Sequence, residues 1–189
     1  MKAKFIIVEG LDRAGKSSQC ELLVKELSKS GPVELLKFPD RTTAVGKMID
    51  AYLQSKSDLN DQAIHLLFSA NRWEAVEDIK SKLNSGVTLV VDRFSYSGAA
   101  FSAAKGLDLG WCKHPDVGLP EPDKVIFLDV SEEVAMQRGG YGNERYEKLE
   151  FQRKVRSIFQ QLREPNWAWI NADESVENVH QRIVQALGV

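Results

Sequence analysis

The sequence predicts an α/β fold, a doubly wound parallel sheet of five strands flanked by helices, in a single domain over residues 1–189. Short apolar runs at 5–8, 87–91 and 124–128 are nearly continuous, which is typical of parallel strands covered on both faces. Longer segments between them carry apolar residues at helical spacing. Strands that alternate with helices favour a parallel sheet whose ligands bind beyond the carboxyl ends of the strands.

The predicted elements follow one another along the chain without an internal repeat or a linker. The order is a strand at 5–8, a helix at 16–29, a weaker strand at 33–38, a long helix at 60–83, strands at 87–91 and 124–128, a helix at 147–163, a weaker strand at 168–170 and a helix at 176–187. The 60–83 helix is apolar on almost all sides, which predicts that it is largely buried.

The composition excludes several classes of protein. The chain has 25 lysines and arginines against 27 aspartates and glutamates, a net charge of −2, which argues against a dedicated nucleic-acid-binding protein. No apolar run approaches the ~20 residues of a membrane span. Two cysteines are too few for a disulfide scaffold, and no signal-peptide pattern opens the chain. We therefore expect a cytoplasmic or nuclear protein with no nucleic-acid or membrane partner.

Residues 10–17, directly after the first strand, form a phosphate-binding loop. They read Gly-Leu-Asp-Arg-Ala-Gly-Lys-Ser, the pattern G-x-x-x-x-G-K-[ST] between a strand and a helix. The backbone N–H groups of such a loop face phosphates, Lys16 is expected to reach the β- and γ-phosphates, and Ser17 to ligate Mg²⁺. The predicted ATP-binding residues of this segment are Arg13, Ala14, Gly15, Lys16, Ser17 and Ser18.

Charged residues at two places predict the phosphoryl-transfer chemistry. Arg13, inside the loop, is either an arginine finger supplied in cis or a solvent-facing loop residue. Asp92 and Arg93 end a buried strand, where a ligand is expected. Asp92 could hold Mg²⁺ or its waters and Arg93 could clamp an acceptor phosphate; the alternative is a salt bridge at the end of the strand.

Two further segments suggest an acceptor site. Phe68 and Arg72 are four residues apart on the long helix and share a face, which suits a planar heterocycle that stacks on the ring and accepts from the guanidinium. A pair of this kind also occurs in ordinary cores. Residues 131–146 contain three glycines and two arginines and are predicted to form a short mobile lid, the alternative being an exposed loop.

The sequence resembles the thymidylate kinases, P-loop kinases of nucleoside monophosphates, and most closely their eukaryotic-type members with arginine in the loop. The resemblance spans essentially the whole chain in order. It rests on segments 10–17, 38–41, 68–74, 92–94, 115–120 and 142–147. One departure is Phe94, where the family often has tyrosine.

The resemblance implies a role for each matching residue. Asp12, with Arg13, Lys16 and Arg93, belongs to the catalytic set, and Arg138 lies near the donor adenine. The implied dTMP-binding residues are Asp12, Phe38, Arg41, Phe68, Arg72, Arg93, Gly98, Phe101, Tyr146 and Gln152. Phe68 stacks on thymine, Arg72 bonds a thymine carbonyl, and Phe101 crowds the sugar 2′ carbon.

The implied reaction is ATP + dTMP → ADP + dTDP, for dTTP synthesis, with Mg²⁺ as cofactor and a homodimer as assembly. A GTP-controlled switch is disfavoured because the sequence has no N-K-x-D motif to read guanine. A kinase of another nucleotide or nucleoside remains an alternative that Phe68, Arg72 and Phe101 disfavour. An inactive nucleotide-binding scaffold is disfavoured by the intact Arg13, Lys16 and Ser17.

Overall fold

Five parallel strands form one sheet in the computed structural model, which describes residues 3–138, 145–146 and 148–189. The strands are Phe5–Gly10 (β1), Val33–Lys37 (β2), Thr88–Asp92 (β3), Lys124–Asp129 (β4) and Trp167–Asn171 (β5). They lie in the order β2-β3-β1-β4-β5. The predicted doubly wound parallel sheet is therefore confirmed.

Burial explains why three strands were easy to recognise and two were not. Every residue of β1 is buried, and β3 and β4 are buried almost throughout. The edge strands are less buried: β2 has no buried residue, and β5 buries only Trp167 and Ile170. Their apolar runs are shorter because only part of each strand faces the core.

Helices cover both faces of the sheet. They are Lys16–Leu27 (α1), Ala44–Leu53 (α2), Asp61–Glu74 (α3), Val76–Asn84 (α4), Ser95–Ala104 (α5), Leu109–Lys113 (α6), Glu132–Gln137 (α7), Leu149–Leu162 (α8) and Val176–Leu187 (α9), with a 3₁₀ turn at His114–Asp116. Among the residues that the structure describes, none of these helices is long and apolar enough to cross a membrane.

The predicted single helix over 60–83 is wrong, because the chain turns at Ala75 into two helices. Ala75 closes a tight turn by donating to the carbonyl of Arg72 (3.1 Å). The two halves bury their apolar residues in different places: Ile64 of α3 packs in a small cluster with residues of α2, while Ile79 of α4 joins the main core. A continuous apolar pattern in the sequence cannot show that its two halves pack into different hydrophobic clusters.

Helix α5, absent from the sequence-based prediction, owes its position to tertiary contacts. Its sequence begins with Ser95-Tyr-Ser-Gly-Ala-Ala, which is mostly small residues and shows no amphipathic pattern, and Ala99 and Ala100 are buried. The side chain of Glu9, at the end of β1, accepts hydrogen bonds from the backbone N–H groups of Phe94 (2.9 Å) and Ser97 (3.1 Å). The helix start is thus capped by a residue distant in sequence, which local rules cannot predict.

The sheet has its topological switch point beside β1. Strand β1 pairs with β3 on one side and β4 on the other, and Val8 lies opposite Asp92. In an open α/β sheet, ligands bind in the crevice outside the carboxyl ends of strands at such a point. The loop 10–17 follows β1 at this edge, next to the end of β3.

Buried His65 links α3 to its neighbours and makes the stability pH-dependent. Its Nε2 lies 2.9 Å from the carbonyl of Cys112 and its Nδ1 2.7 Å from the Ser102 hydroxyl, an arrangement that suits neutral imidazole. Burial and, secondarily, the charge of Arg72 lower the pKa of His65. The unfolded chain therefore takes up a proton below about pH 6.5 that the folded chain does not.

We expect the free energy of unfolding to fall as the pH falls below about 6.5, by at most about 1.4 kcal/mol per pH unit from this residue. His65→Gln, which lacks a titrating group, should show a smaller fall between pH 7 and 5, measured by urea unfolding. His114→Gln, at an exposed histidine, is the control. Equal slopes for His65→Gln and the unmodified protein would contradict the assignment.

Candidate active site

The loop 10–17 begins where the backbone leaves no room for a side chain. Gly10 has φ +151°, and a Cβ atom there would lie 2.6 Å from the carbonyl oxygen of Leu128 on β4. Arg13, at the tip of the loop, also has a positive φ of 61°, uncommon for a residue other than glycine. Strained backbone of this kind concentrates at ligand-binding sites.

Lys16 is the buried cation of this loop. Its Nζ donates to the carbonyl of Leu11 at 2.6 Å, and the side chain lines the cleft at the switch point. Burial, with the positive charge of Arg93 adding to it, lowers the pKa of Lys16 to about 8. Phosphate oxygens would stabilise its charged form, so the site is electrostatically suited to an anion.

Ser17 and Asp92 provide oxygen atoms where Mg²⁺ is expected. The Ser17 hydroxyl donates to a carboxylate oxygen of Asp92 at 2.8 Å, and Asp92 is 3% exposed. Mg²⁺ in nucleotide-binding sites is usually held by one or two protein oxygens, waters and substrate phosphates, rather than by a dedicated carboxylate cage. These two residues fit that pattern, and the described part of the chain contains no cluster of three or more potential metal-ligating side chains.

Arg93 pairs with Asp12 of the loop and not with its neighbour Asp92. One of its Nη atoms bonds Asp12, and the other donates to the carbonyl of Gly10 (3.1 Å) and to the hydroxyl of Ser97 (3.0 Å). The guanidinium lies 5.1 Å from the centre of the Phe101 ring. The strand-end ion pair considered from the sequence thus joins β3 to the loop after β1.

Glu9 and Ser97 are site residues that the sequence analysis missed. Glu9 is completely buried, and burial raises the pKa of its carboxyl group. It accepts a hydrogen bond from Ser97, which in turn accepts from Arg93. A lone carboxylate directly after the apolar run 5–8 was the available signal, since such a group is rarely buried without partners.

Phe68 and Arg72 line the same cleft on the side of α3 and α5. Phe68 is partly buried and Arg72 is 2% exposed. Arg72 forms a forked ion pair with Asp116, Nε to Oδ1 at 3.1 Å and Nη2 to Oδ2 at 2.7 Å. A Cβ atom at Gly98 would lie 2.7 Å from Nη2, so glycine at 98 makes room for the guanidinium.

Tyr146 and Gln152 close this side of the cleft. Gln152 Nε2 donates to Asp12 Oδ2 at 2.8 Å, and its Oε1 accepts from the Asp12 backbone N–H at 3.1 Å. Gln152 also donates to the carbonyl of Tyr146. The Tyr146 ring lies 5.6 Å from that of Phe101. These contacts attach the segment before α8 to the phosphate-binding loop.

Phe38 and Arg41 lie on the segment between β2 and α2, and both line the cleft. Arg41 donates to Asp50 at 2.7 Å. Asn71, buried on α3, fixes this segment by accepting from the Asp40 N–H (2.7 Å) and donating to the Asp40 carbonyl (3.1 Å). Asn71 belongs to the 68–74 segment but was given no role from the sequence.

Arg138 lies between the phosphate-binding loop and the segment after β5. Its two Nη atoms donate to the carbonyls of Arg13 and Ala172, each at 2.7 Å. The arginine thereby connects the phosphate-binding loop to the segment after β5. Part of the predicted lid, Glu132–Gln137, is helix α7; Gly139, Gly140 and Gly142, on which the lid prediction depends, lie outside the described residues.

A cleft of about 510 Å³ brings most of the predicted residues together. The predicted residues that line it are Asp12, Arg13, Gly15, Lys16, Ser17, Ser18, Phe38, Arg41, Phe68, Arg72, Asp92, Arg93, Gly98, Phe101 and Tyr146. Gln152 and Arg138 support the loop through hydrogen bonds, and Ala14, itself a loop residue, is buried next to Gly10. Lining residues without a prediction include Lys37, Pro39, Leu53 and Ser97.

Comparison with known proteins identifies the family. A family model described as thymidylate kinase matches residues 8–183. Thymidylate kinase of Schizosaccharomyces pombe is 55% identical over 190 residues, covering 97% of this chain and 90% of that protein. That of Arabidopsis thaliana is 54% identical over 187 residues, covering 98% and 71%. A solved structure of thymidylate kinase from Candida albicans matches with a TM-score of 0.93 at 37% identity, covering 99% of this chain and 92% of that one. Its P-loop, the aromatic rings in the same cleft and these relatives agree. The chain belongs to the thymidylate kinase family.

Proposed function

We propose that this member of the thymidylate kinase family transfers the γ-phosphoryl group of ATP to dTMP within the cleft, giving dTDP and ADP. The observation that carries the proposal is the arrangement of the cleft. Three cationic side chains, those of Arg13, Lys16 and Arg93, line it together with the aromatic ring of Phe68. Such a cleft suits a polyphosphate on one side and a nucleoside monophosphate on the other.

The reaction needs positioning and charge neutralisation more than acid–base catalysis. The second pKa of a phosphate monoester is about 6, so the acceptor is mostly dianionic at neutral pH and already nucleophilic. The enzyme has to bring two polyanions into line and neutralise the charge that spreads over the transferring group. The cationic side chains supply that neutralisation in a cleft that is partly shielded from water.

On the donor side, the loop backbone and Lys16 hold the β- and γ-phosphates, and Arg138 borders the adenine. Ser17 and Asp92 are the residues that would hold Mg²⁺, which supplies charge neutralisation at the phosphate oxygens when bound. Arg13 acts on the transferring group, where its planar guanidinium can contact two oxygens. Its position at the tip of the loop supports this role.

On the acceptor side, Arg93 binds the dTMP phosphate. Asp12, which is paired with the Arg93 guanidinium, approaches the sugar 3′-hydroxyl. Phe68 stacks on thymine and Arg72 donates to a thymine carbonyl. Phe101 stands at the sugar 2′ carbon. The remaining acceptor contacts are Phe38, Arg41, Gly98, Tyr146 and Gln152. The forked pair of Arg72 with Asp116 supports this division, because it presents a fixed donor to a planar base.

The proposed assembly is a homodimer, supported by an apolar stripe on α3. Ala63, Leu66, Ala70 and Trp73 recur at helical spacing, and Leu66 and Trp73 are 48% and 40% exposed. Val117, 72% exposed, continues the stripe because its neighbour Gly118 lies against the Trp73 ring. Contiguous exposed apolar surface is typical of protein interfaces. The cytoplasmic or nuclear location stays a prediction.

A coupled ADP-release assay across dTMP, dCMP, AMP, GMP and ribothymidine monophosphate tests the acceptor site. We expect dTMP to be preferred, with the ribonucleotide about 10- to 200-fold poorer in kcat/KM, the range that pocket sterics supply. The reason is that Phe101 crowds a 2′-hydroxyl and leaves it without a hydrogen-bond partner. Phe101→Ala should narrow the gap between the two sugars and leave KM for ATP unchanged. Equal turnover of both sugars by the unmodified protein would overturn this role.

The lowered pKa of Lys16 predicts the pH dependence of ATP use. Below about pH 8 its ammonium is charged and attracts phosphate; above that pH the neutral amine of the free enzyme does not. We therefore expect kcat/KM for ATP, which reports the free enzyme, to fall as the pH rises through about 8. In Lys16→Arg the guanidinium stays protonated, so kcat/KM for ATP should not fall above about pH 8, whatever the absolute activity of the variant. A flat wild-type profile from pH 7 to 10 would refute the prediction.

Substitution of Arg13 tests the cis arginine finger. Its φ of 61° is one that glycine adopts freely, so Arg13→Gly removes the guanidinium without adding backbone strain. We expect kcat to fall by at least about 10²-fold, a cautious bound on the known range for arginine fingers, with a much smaller change in nucleotide affinity. Arg13→Lys should rescue only in part, because a point charge cannot contact two oxygens in a planar fork.

The matched control for this substitution is Ser55→Gly. Ser55 has a similar φ of 55° and is not among the residues that line the cleft, so its kcat should stay within about twofold of the unmodified protein. Arg138 and Arg145 are held by the carbonyls of Ala172 and Tyr52 and should not compensate for Arg13. Near-normal kcat in Arg13→Gly would shift charge stabilisation to Lys16.

A further inference from the structure

No residue of the segment 115–120 is assigned a substrate contact in the proposed reaction, although this segment is one of those that carry the family resemblance. In the structure it lies against α3. Ser69 Oγ is 3.1 Å from the carbonyl of Pro115 and 2.7 Å from Asp116 Oδ1, and Trp73 Nε1 donates to the same Pro115 carbonyl at 2.7 Å. Ser69 and Arg72 therefore hold the Asp116 carboxylate directly, and Trp73 holds the backbone just before it.

That carboxylate determines the orientation of Arg72. The side chains of Arg72 and Asp116 are only 3% and 7% exposed, and the pair uses Nε and Nη2 of the guanidinium. Gly98 lies against the same guanidinium, because a Cβ atom added there would be 2.7 Å from Nη2 and 2.9 Å from Nη1. With one edge paired and the face packed on a glycine, the guanidinium plane has one orientation, and Nη1 is the nitrogen outside the fork.

We propose that Asp116 is a positioning residue that sets base specificity, by holding Arg72 so that its guanidinium meets a pyrimidine carbonyl and rejects a pyrimidine amino group. This rests on the proposed function, in which Arg72 contacts the base. Asp116 is not among the residues that line the cleft, so it acts through Arg72 and not on the substrate.

The discrimination follows from the chemistry of the donor. A guanidinium has only N–H donors, so it bonds a carbonyl oxygen and leaves an amino group opposite it without an acceptor. A site built around such a bond rejects the wrong group strongly only if the donor cannot move away. A guanidinium released from Asp116 could rotate, tolerate an amino group and bind a carbonyl less well.

Asp116→Asn is the direct test, because it removes the charge and one acceptor with little change in shape. We expect KM for dTMP to rise about tenfold, the loss of roughly one charge-assisted hydrogen bond, with kcat changed by less than about threefold. The ratio of kcat/KM for dTMP over dCMP should fall, and KM for ATP should stay unchanged. An unaltered dTMP-to-dCMP ratio would overturn the proposal.

A double-mutant cycle with Arg72→Ala separates this proposal from the proposed function. If Asp116 acts through Arg72, Asp116→Asn should have no further effect on KM for dTMP in the Arg72→Ala background. If Arg72→Ala itself leaves that KM unchanged, the base-binding role of Arg72 fails. If Arg72→Ala raises KM and Asp116→Asn does not, only the positioning role of Asp116 fails.

Two further variants keep the test decisive. Asp129→Asn breaks a matched forked pair, with Arg156 at 2.8 and 2.6 Å, outside the base pocket, and should leave the dTMP-to-dCMP ratio unchanged. Ser69→Ala removes a hydroxyl that holds Asp116 without touching the charge. It should lower the ratio by a smaller factor, about twofold or more. If Asp116→Asn does not fold, an unchanged ratio in Ser69→Ala overturns the proposal.

Discussion

The ion pair between Asp12 and Arg93 is the interaction on which the cleft depends. It joins the phosphate-binding loop after β1 to the end of β3, across the switch point of the sheet. Gln152 holds Asp12 from a third element, and Ser97, bonded to buried Glu9, holds Arg93 from a fourth. The loop after β1 and the end of β3, to which we assign the phosphoryl donor and acceptor, are therefore parts of one hydrogen-bonded network rather than two separate sites.

This network also lowers the free-energy cost of burying several positively charged side chains in one cleft. Buried positive charges are costly unless they are paired or hydrogen-bonded. Lys16 reaches a backbone carbonyl, Arg72 has Asp116, and Arg93 has Asp12. The lowered pKa of Lys16 shows that its compensation is incomplete in the free protein. Phosphates bound as we propose would complete this compensation and so couple substrate binding to the stability of the charged site.

Helix α3 shows how one short segment can serve several purposes at once. Phe68 and Arg72 face the cleft, Asn71 fixes the segment that carries Arg41, and His65 binds α5 and α6 by side-chain hydrogen bonds. Its opposite face carries the exposed Leu66 and Trp73. Its residues therefore have different partners on different sides of the helix, and the sequence pattern alone did not show what each side contacts.

The sequence by itself determined the fold class, the P-loop and most of the cleft. Continuous apolar runs recur where strands are covered on both faces, and the loop pattern reflects local backbone and phosphate chemistry. Both can therefore be recognised in the amino-acid sequence. The resemblance added further residues that line the cleft, such as Phe101 and Tyr146, which no local rule marks. Only the tertiary structure decided the turn at Ala75, the cap that Glu9 places on α5, and the pairing of Arg93 with Asp12 and of Arg72 with Asp116. Each joins residues that are far apart in sequence or divides a helix between two cores, and the preferences of neighbouring residues carry no information about such contacts.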